Sequence, residues 1–65
     1  MTTADEIRAN RRSRTQATPE VKRRLDDELI TLIHRGLEEG LLVAQIADMS
    51  GIPRKRIYQI RDARR

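Results

Sequence analysis

The sequence predicts an all-α fold: a three-helix bundle carrying a helix-turn-helix motif, preceded by a flexible basic N-terminal arm. Three observations lead there. Val21, Leu25, Leu29, Leu32, Ile33 and Leu37 recur at spacings of three and four, the stripe of a helix with one buried face. Between Gly40 and Ile60 two short amphipathic stretches meet at Gly51, with Ile46 and Ala47 before it and Ile52, Ile57 and Ile60 after it. From Met1 to Ala17, by contrast, Ile7 is the one large aliphatic residue. The expected division is an arm over 1–17 and a helix-turn-helix domain over 18–65, with helices at about 19–39, 43–49 and 53–63.

At 65 residues the chain sits near the lower limit at which an apolar core holds a fold without covalent staples. It has no cysteine and His34 is its only histidine, so neither a disulfide nor a thiolate zinc site is expected, and no metal or other cofactor. No apolar run approaches a membrane span, and Met-Thr-Thr-Ala-Asp-Glu lacks the order of a signal peptide. The expectation is a cytoplasmic protein with no membrane partner and no small-molecule substrate.

The net charge of +4 is unevenly spread. Four arginines oppose Asp5 and Glu6 in residues 1–18, acids outnumber bases in 19–50, and six bases oppose Asp62 alone in 51–65. Basic ends around an acidic middle suggest a polyanion held at two places, or tails that keep a small protein soluble.

Taken in order, residues 1–17 offer too little apolar surface to offset the entropy of ordering them, which predicts a mobile arm. The competing reading is a short helix from the Thr3-Ala4-Asp5-Glu6 capping-box spacing through Asn10. Arg8, Arg11, Arg12 and Arg14 on such an arm could enter a minor groove or line a phosphate backbone; otherwise they belong to a solvated tail. Thr18-Pro19-Glu20 then starts the long helix with a hydroxyl cap, a proline in the first turn and an acid at the positive dipole end. Its stripe should be buried for about five turns. Lys22, Arg23 and Arg24 each have an acid four residues on, in Asp26, Asp27 and Glu28, so mutual neutralisation competes with a phosphate contact. Ile30 lies off the stripe and is a candidate for self-association, although single exposed aliphatics are ordinary. His34 reads as a helix-surface side chain.

Gly40 should end that helix. Ala47 is small where the last helix must cross close by, and Gly51 permits a positive φ in the turn. With Ile46, Ile52, Ile57 and Ile60 inward, Arg54, Lys55, Tyr58 and Gln59 face out, the shape of a helix that lies in a DNA groove. With no Phe or Trp, only Tyr58 can stack on bases as single-strand binders require.

From about Leu29 onward the chain resembles the C-terminal DNA-binding domain of serine recombinases of the resolvase and invertase type, and related small phage or plasmid regulators. Leu37-Glu38-Glu39-Gly40-Leu41, Val43, Ile46-Ala47, Gly51-Ile52 and Arg54 to Tyr58 carry the likeness. The resemblance implies a three-helix bundle behind an extended arm, with Arg54, Lys55, Tyr58 and Gln59 at groove-facing positions. Three residues depart from the pattern: Leu42 and Pro53 stand where polar caps are usual, and Ser50 where an apolar residue is. Nothing upstream of Thr18 resembles a recombinase catalytic domain, and Ser13 and Ser50 lack an evident base, so no catalytic residue is expected.

The function expected is sequence-preferring binding to double-stranded DNA by a small transcriptional regulator. Arg54 and Lys55 would contact guanine and Gln59 adenine, while Arg56, Tyr58, Arg61 and the backbone N–H at Val43 would hold phosphates. One module covers few base pairs, which calls for a homodimer, tandem sites or a partner protein. The alternatives are an accessory factor for recombination, excision or plasmid partition, an adaptor whose basic helix docks an acidic protein, and RNA binding by the arginine-rich arm.

Overall fold

Thr18 caps the longest helix as its sequence predicts: the hydroxyl accepts the Val21 N–H at 3.5 Å, and Pro19 fills the first turn. In the computed structural model, which describes residues 2–63, this helix is the second of four: α1 (Thr3–Gln16), α2 (Pro19–Glu38), α3 (Val43–Ser50) and α4 (Arg54–Ala63). No strand occurs among the described residues.

At the far end of α2, Gly40 adopts φ 93°. Its N–H donates to the Leu37 carbonyl at 3.1 Å and the Leu41 N–H to the Gly36 carbonyl at 2.9 Å. This paired closure satisfies carbonyls the helix end would otherwise leave open. Leu42, where a polar cap is usual, leaves α3 without a side-chain cap on its amides, but Gln45 Oε1 accepts the Leu42 N–H at 2.9 Å. Gly51 ends α3 in the left-handed region at φ 75°, with its N–H on the Ala47 carbonyl at 2.9 Å. Ile52 and Pro53 complete a three-residue connection, and the Pro53 carbonyl accepts from Arg56 and Ile57 to open α4.

The N-terminal segment departs from the expected mobile arm over 1–17: it is a helix of fourteen residues. Its cap lies one residue earlier than the predicted box, with Thr2 Oγ1 accepting the Asp5 N–H and Asp5 Oδ2 accepting the Thr2 N–H. Considered alone, residues 1–17 lack the apolar surface to fold; α2 and α3 supply it. Ile7 is fully buried, Asn10 Nδ2 donates to the Leu25 carbonyl of α2 at 2.9 Å, and Glu6 pairs with Arg35. Thr3, Ile7, Asn10 and Arg14 thus form a single helical stripe, three polar residues to one apolar.

The core is Ile7, Leu29, Leu32, Ile33, Ile46, Ile57 and Ile60, with Ile30, Leu37, Leu41, Val43, Ala47, Met49 and Ile52 packed around it. It is aliphatic throughout, and α1 packs on α2 and α3 while α4 packs on α2 and α3 from the other side. Gly36 is where the elements converge: a Cβ there would stand 3.0 Å from Leu41, 3.6 Å from Ile46 and 3.7 Å from Thr3. The α2 stripe is buried over a shorter length than its periodicity predicts. Burial begins at Leu29, Leu25 is half-buried and Val21 keeps 46 % of its surface, because the core lies under the C-terminal half of α2.

Candidate nucleic-acid interface

The α4 surface follows from its period. Ile57 and Ile60 are buried, which turns Lys55, Tyr58, Gln59 and Asp62 to the opposite side and sets Arg54 and Arg61 on one flank. Arg54, Lys55 and Gln59 are exposed, and their side chains make no hydrogen bond or ion pair with the described residues. Tyr58 is 43 % exposed and lies under the Arg61 guanidinium, 4.9 Å from ring centroid to Cζ. Arg61 Nε also donates to Asp62 Oδ1 at 3.3 Å, so this arginine is partly neutralised by its neighbour.

Arg56 belongs to the other flank. It lines a groove between α2 and α4 with Ile30, His34, Ile60 and Ala63, apart from the remaining cations of α4. Val43 opens α3 half-buried against the core, and its N–H lies in the first turn, where an α-helix offers no carbonyl partner.

Two of the four arginines expected on a free arm have a structural role instead. Arg11 Nη1 donates to the Asp48 carbonyl at 3.0 Å, and Arg14 Nη2 donates to the Ser50 carbonyl. Both guanidinium groups therefore sit at the C-terminal end of α3, on open carbonyls at the negative pole of that helix. Arg14 is further held by Asn10, whose Oδ1 accepts its Nε at 2.8 Å. Arg8 and Arg12 stay exposed, Arg8 beside Asp5 at 3.6 Å, but they project from an ordered helix and line a shallow depression with Asp48 and Met49. A minor-groove arm made of all four is not what the chain builds.

Ser50, which stands where the family pattern has an apolar residue, is buried and satisfied: Oγ donates to the Ile46 carbonyl at 2.6 Å and accepts the Ile52 N–H at 3.2 Å. It fixes the turn from within, while Arg14 grips its carbonyl from outside. The chain from Asn10 through Arg14 to Ser50 is the feature that the sequence reading missed. Its one outward sign was the spacing of three and four joining Ile7, Asn10 and Arg14.

Comparison with protein-family models, with curated proteins and with solved structures finds no significant match. Among the described residues no helix is long and apolar enough to cross a membrane, and no three metal-ligating side chains cluster.

Proposed function

We propose that the chain binds double-stranded DNA through a helix-turn-helix made of α3, the Gly51–Pro53 turn and α4. The observation that carries this reading is the uncommitted polar face of α4: Lys55 and Gln59, opposite the buried Ile57 and Ile60, and Arg54 on the flank are exposed and make no hydrogen bond or ion pair with the described residues. The resemblance of Leu37 through Tyr58 to the serine-recombinase DNA-binding domain points the same way. In this reading α4 enters the major groove, where Arg54 or Lys55 donates to guanine and Gln59 pairs with adenine. Tyr58 and Arg61 act together at a phosphate, and the α3 N-terminus near Val43 offers backbone N–H groups to another. Arg56 reaches the backbone from the α2 side, and Arg8 and Arg12 add charge on α1. The role is that of a small transcriptional regulator or an accessory factor in recombination, excision or partition, which use the same chemistry.

Selection of preferred sites from a random duplex pool, followed by titration of variants, tests the proposal. Arg54→Ala or Gln59→Ala should cost about 1–3 kcal/mol on the selected site and little on random duplex. Equal losses on both would reduce that residue to a phosphate contact. With about six phosphates neutralised, log K should fall against log salt with a slope near −5. No measurable affinity for any duplex at low salt, with an acidic protein bound instead, would replace DNA by the adaptor reading.

A further inference from the structure

We propose that the groove between α2 and α4 is the docking site of an acidic amphipathic helix from another protein. α1 and α4 do not pack on each other, and a depression of about 300 Å³ opens between them over α2. Buried Leu29 and Ile60 and half-buried Ile30 and Ile52 make its floor aliphatic. A second depression of about 250 Å³ continues it along α2 to His34, and the two share Ile30, Arg56 and Ile60. The α2 wall of this trough is Lys22, Asp26, Ile30 and His34, four residues apart and therefore one row on the helix. At 1.5 Å per residue the row is about 18 Å long, a little over three turns of a helix laid beside it.

The walls decide the shape of the occupant. They are helices, whose N–H and C=O groups are bonded within the helix itself, so an extended segment would find no backbone partners there. A helix brings its own backbone bonds and needs only side chains that fit. Charge decides its sign, because Arg14, Lys22 and Arg56 line the trough against Asp26 alone. Arg14 rests on Asn10 Oδ1 and the Ser50 carbonyl, neutral acceptors that leave its charge uncancelled. Lys22, Asp26 and Arg56 are exposed and make no hydrogen bond or ion pair with the described residues. Positive charge in excess beside an aliphatic floor is complementary to a helix with aliphatic residues at i, i+4 and i+7 and carboxylates flanking them. Duplex DNA cannot use that floor, since its phosphates would have to leave water to reach Ile30 and Ile52. The trough shares only Arg56 with the DNA reading and does not depend on it.

A displayed library tests this without DNA. Its members are helical peptides of about sixteen residues, with aliphatic positions fixed at i, i+4, i+7 and i+11 and Glu, Gln or Lys drawn at random beside them. Selection on the full chain should enrich glutamate over lysine. The selected peptide should shift the methyl signals of Ile30, Ile52 and Ile60 and leave the Tyr58 ring signals in place. K22E/R56E should weaken it by about tenfold or more and turn the selection toward lysine, whereas R54E/K55E, the same change of charge away from the trough, should weaken it less than about threefold. Equal losses in the two double variants would mean general attraction rather than a site, and overturn the proposal. So would no peptide bound at about 1 mM, no preference between glutamate and lysine, or shifts centred on Tyr58. Shifts of the same methyl signals that grow with chain concentration in the absence of peptide would assign the trough to a second copy instead. If circular dichroism shows K22E/R56E unfolded, Lys22→Gln with Arg56→Gln replaces it, with a loss of about threefold or more expected and no loss overturning the proposal.

Discussion

Asn10 shows how much a single polar side chain carries in a molecule this small. It is 3 % exposed, donates to α2 through Nδ2 and accepts from Arg14 through Oδ1, and Arg14 in turn holds the last carbonyl of α3. Asn10→Ala removes both bonds and frees Arg14 from its brace. The expected loss is about 1–3 kcal/mol, the cost of breaking hydrogen bonds in a buried polar site, read as a lower urea midpoint. An unchanged midpoint would mean that the Asn10–Arg14–Ser50 link adds nothing to stability. Gly51 is the counterpart whose role was legible beforehand. The turn needs a left-handed residue there, and φ 75° is where glycine alone is unstrained.

At the scale of the element, α2, α3 and α4 were readable from their own residues, and α1 was not. Periodicity, a hydroxyl-proline start and glycine stops are local signals, and they place the boundaries of α2 to α4 within a residue of those observed. α1 has one large aliphatic side chain, so its order depends on a surface that two other helices create. A mobile arm predicts that Ile7→Ala leaves stability unchanged. The packed helix predicts a loss of about 2–5 kcal/mol. That is a large part of the roughly 3–10 kcal/mol expected for a domain of this length, so thermal unfolding of the variant decides the matter.

The α1 cap also carries a pH dependence. The Thr2 backbone N–H, and then its hydroxyl, favour ionised Asp5 and hold its carboxyl below the ordinary value of 3.8. A group whose folded pKa is lowered stabilises above its unfolded pKa and loses that contribution as pH falls through the folded one. Fraying of the first turn of α1, followed by amide chemical shifts, should therefore begin below pH 3.8 in the wild type and be absent as a distinct step in Asp5→Ala.

For the molecule as a whole, the outward face of α4 was legible because its two buried isoleucines leave one choice for the other side. The fate of the N-terminal arginines was not, because the sequence does not say which carbonyls lie within reach of Arg11 and Arg14. That difference changes what a truncation means. Deleting residues 1–17 would test an RNA-binding arm only if that arm stood free of the rest, whereas here it also removes Ile7 from the core and two guanidinium groups from the end of α3. The truncated chain is expected to lose its cooperative melting transition. Arg8→Ala with Arg12→Ala is the substitution that probes nucleic-acid contact by this segment without dismantling it.

The helicity of α1 has a further consequence for the life of the chain. Arg8, Arg11, Arg12 and Arg14 are four cleavage sites for a trypsin-like protease, and on a loose tail each would be cut within moments of exposure. Wound into a helix and tied to its neighbours, they are reached only when the segment opens, so the rate of nicking there becomes a clock for that opening.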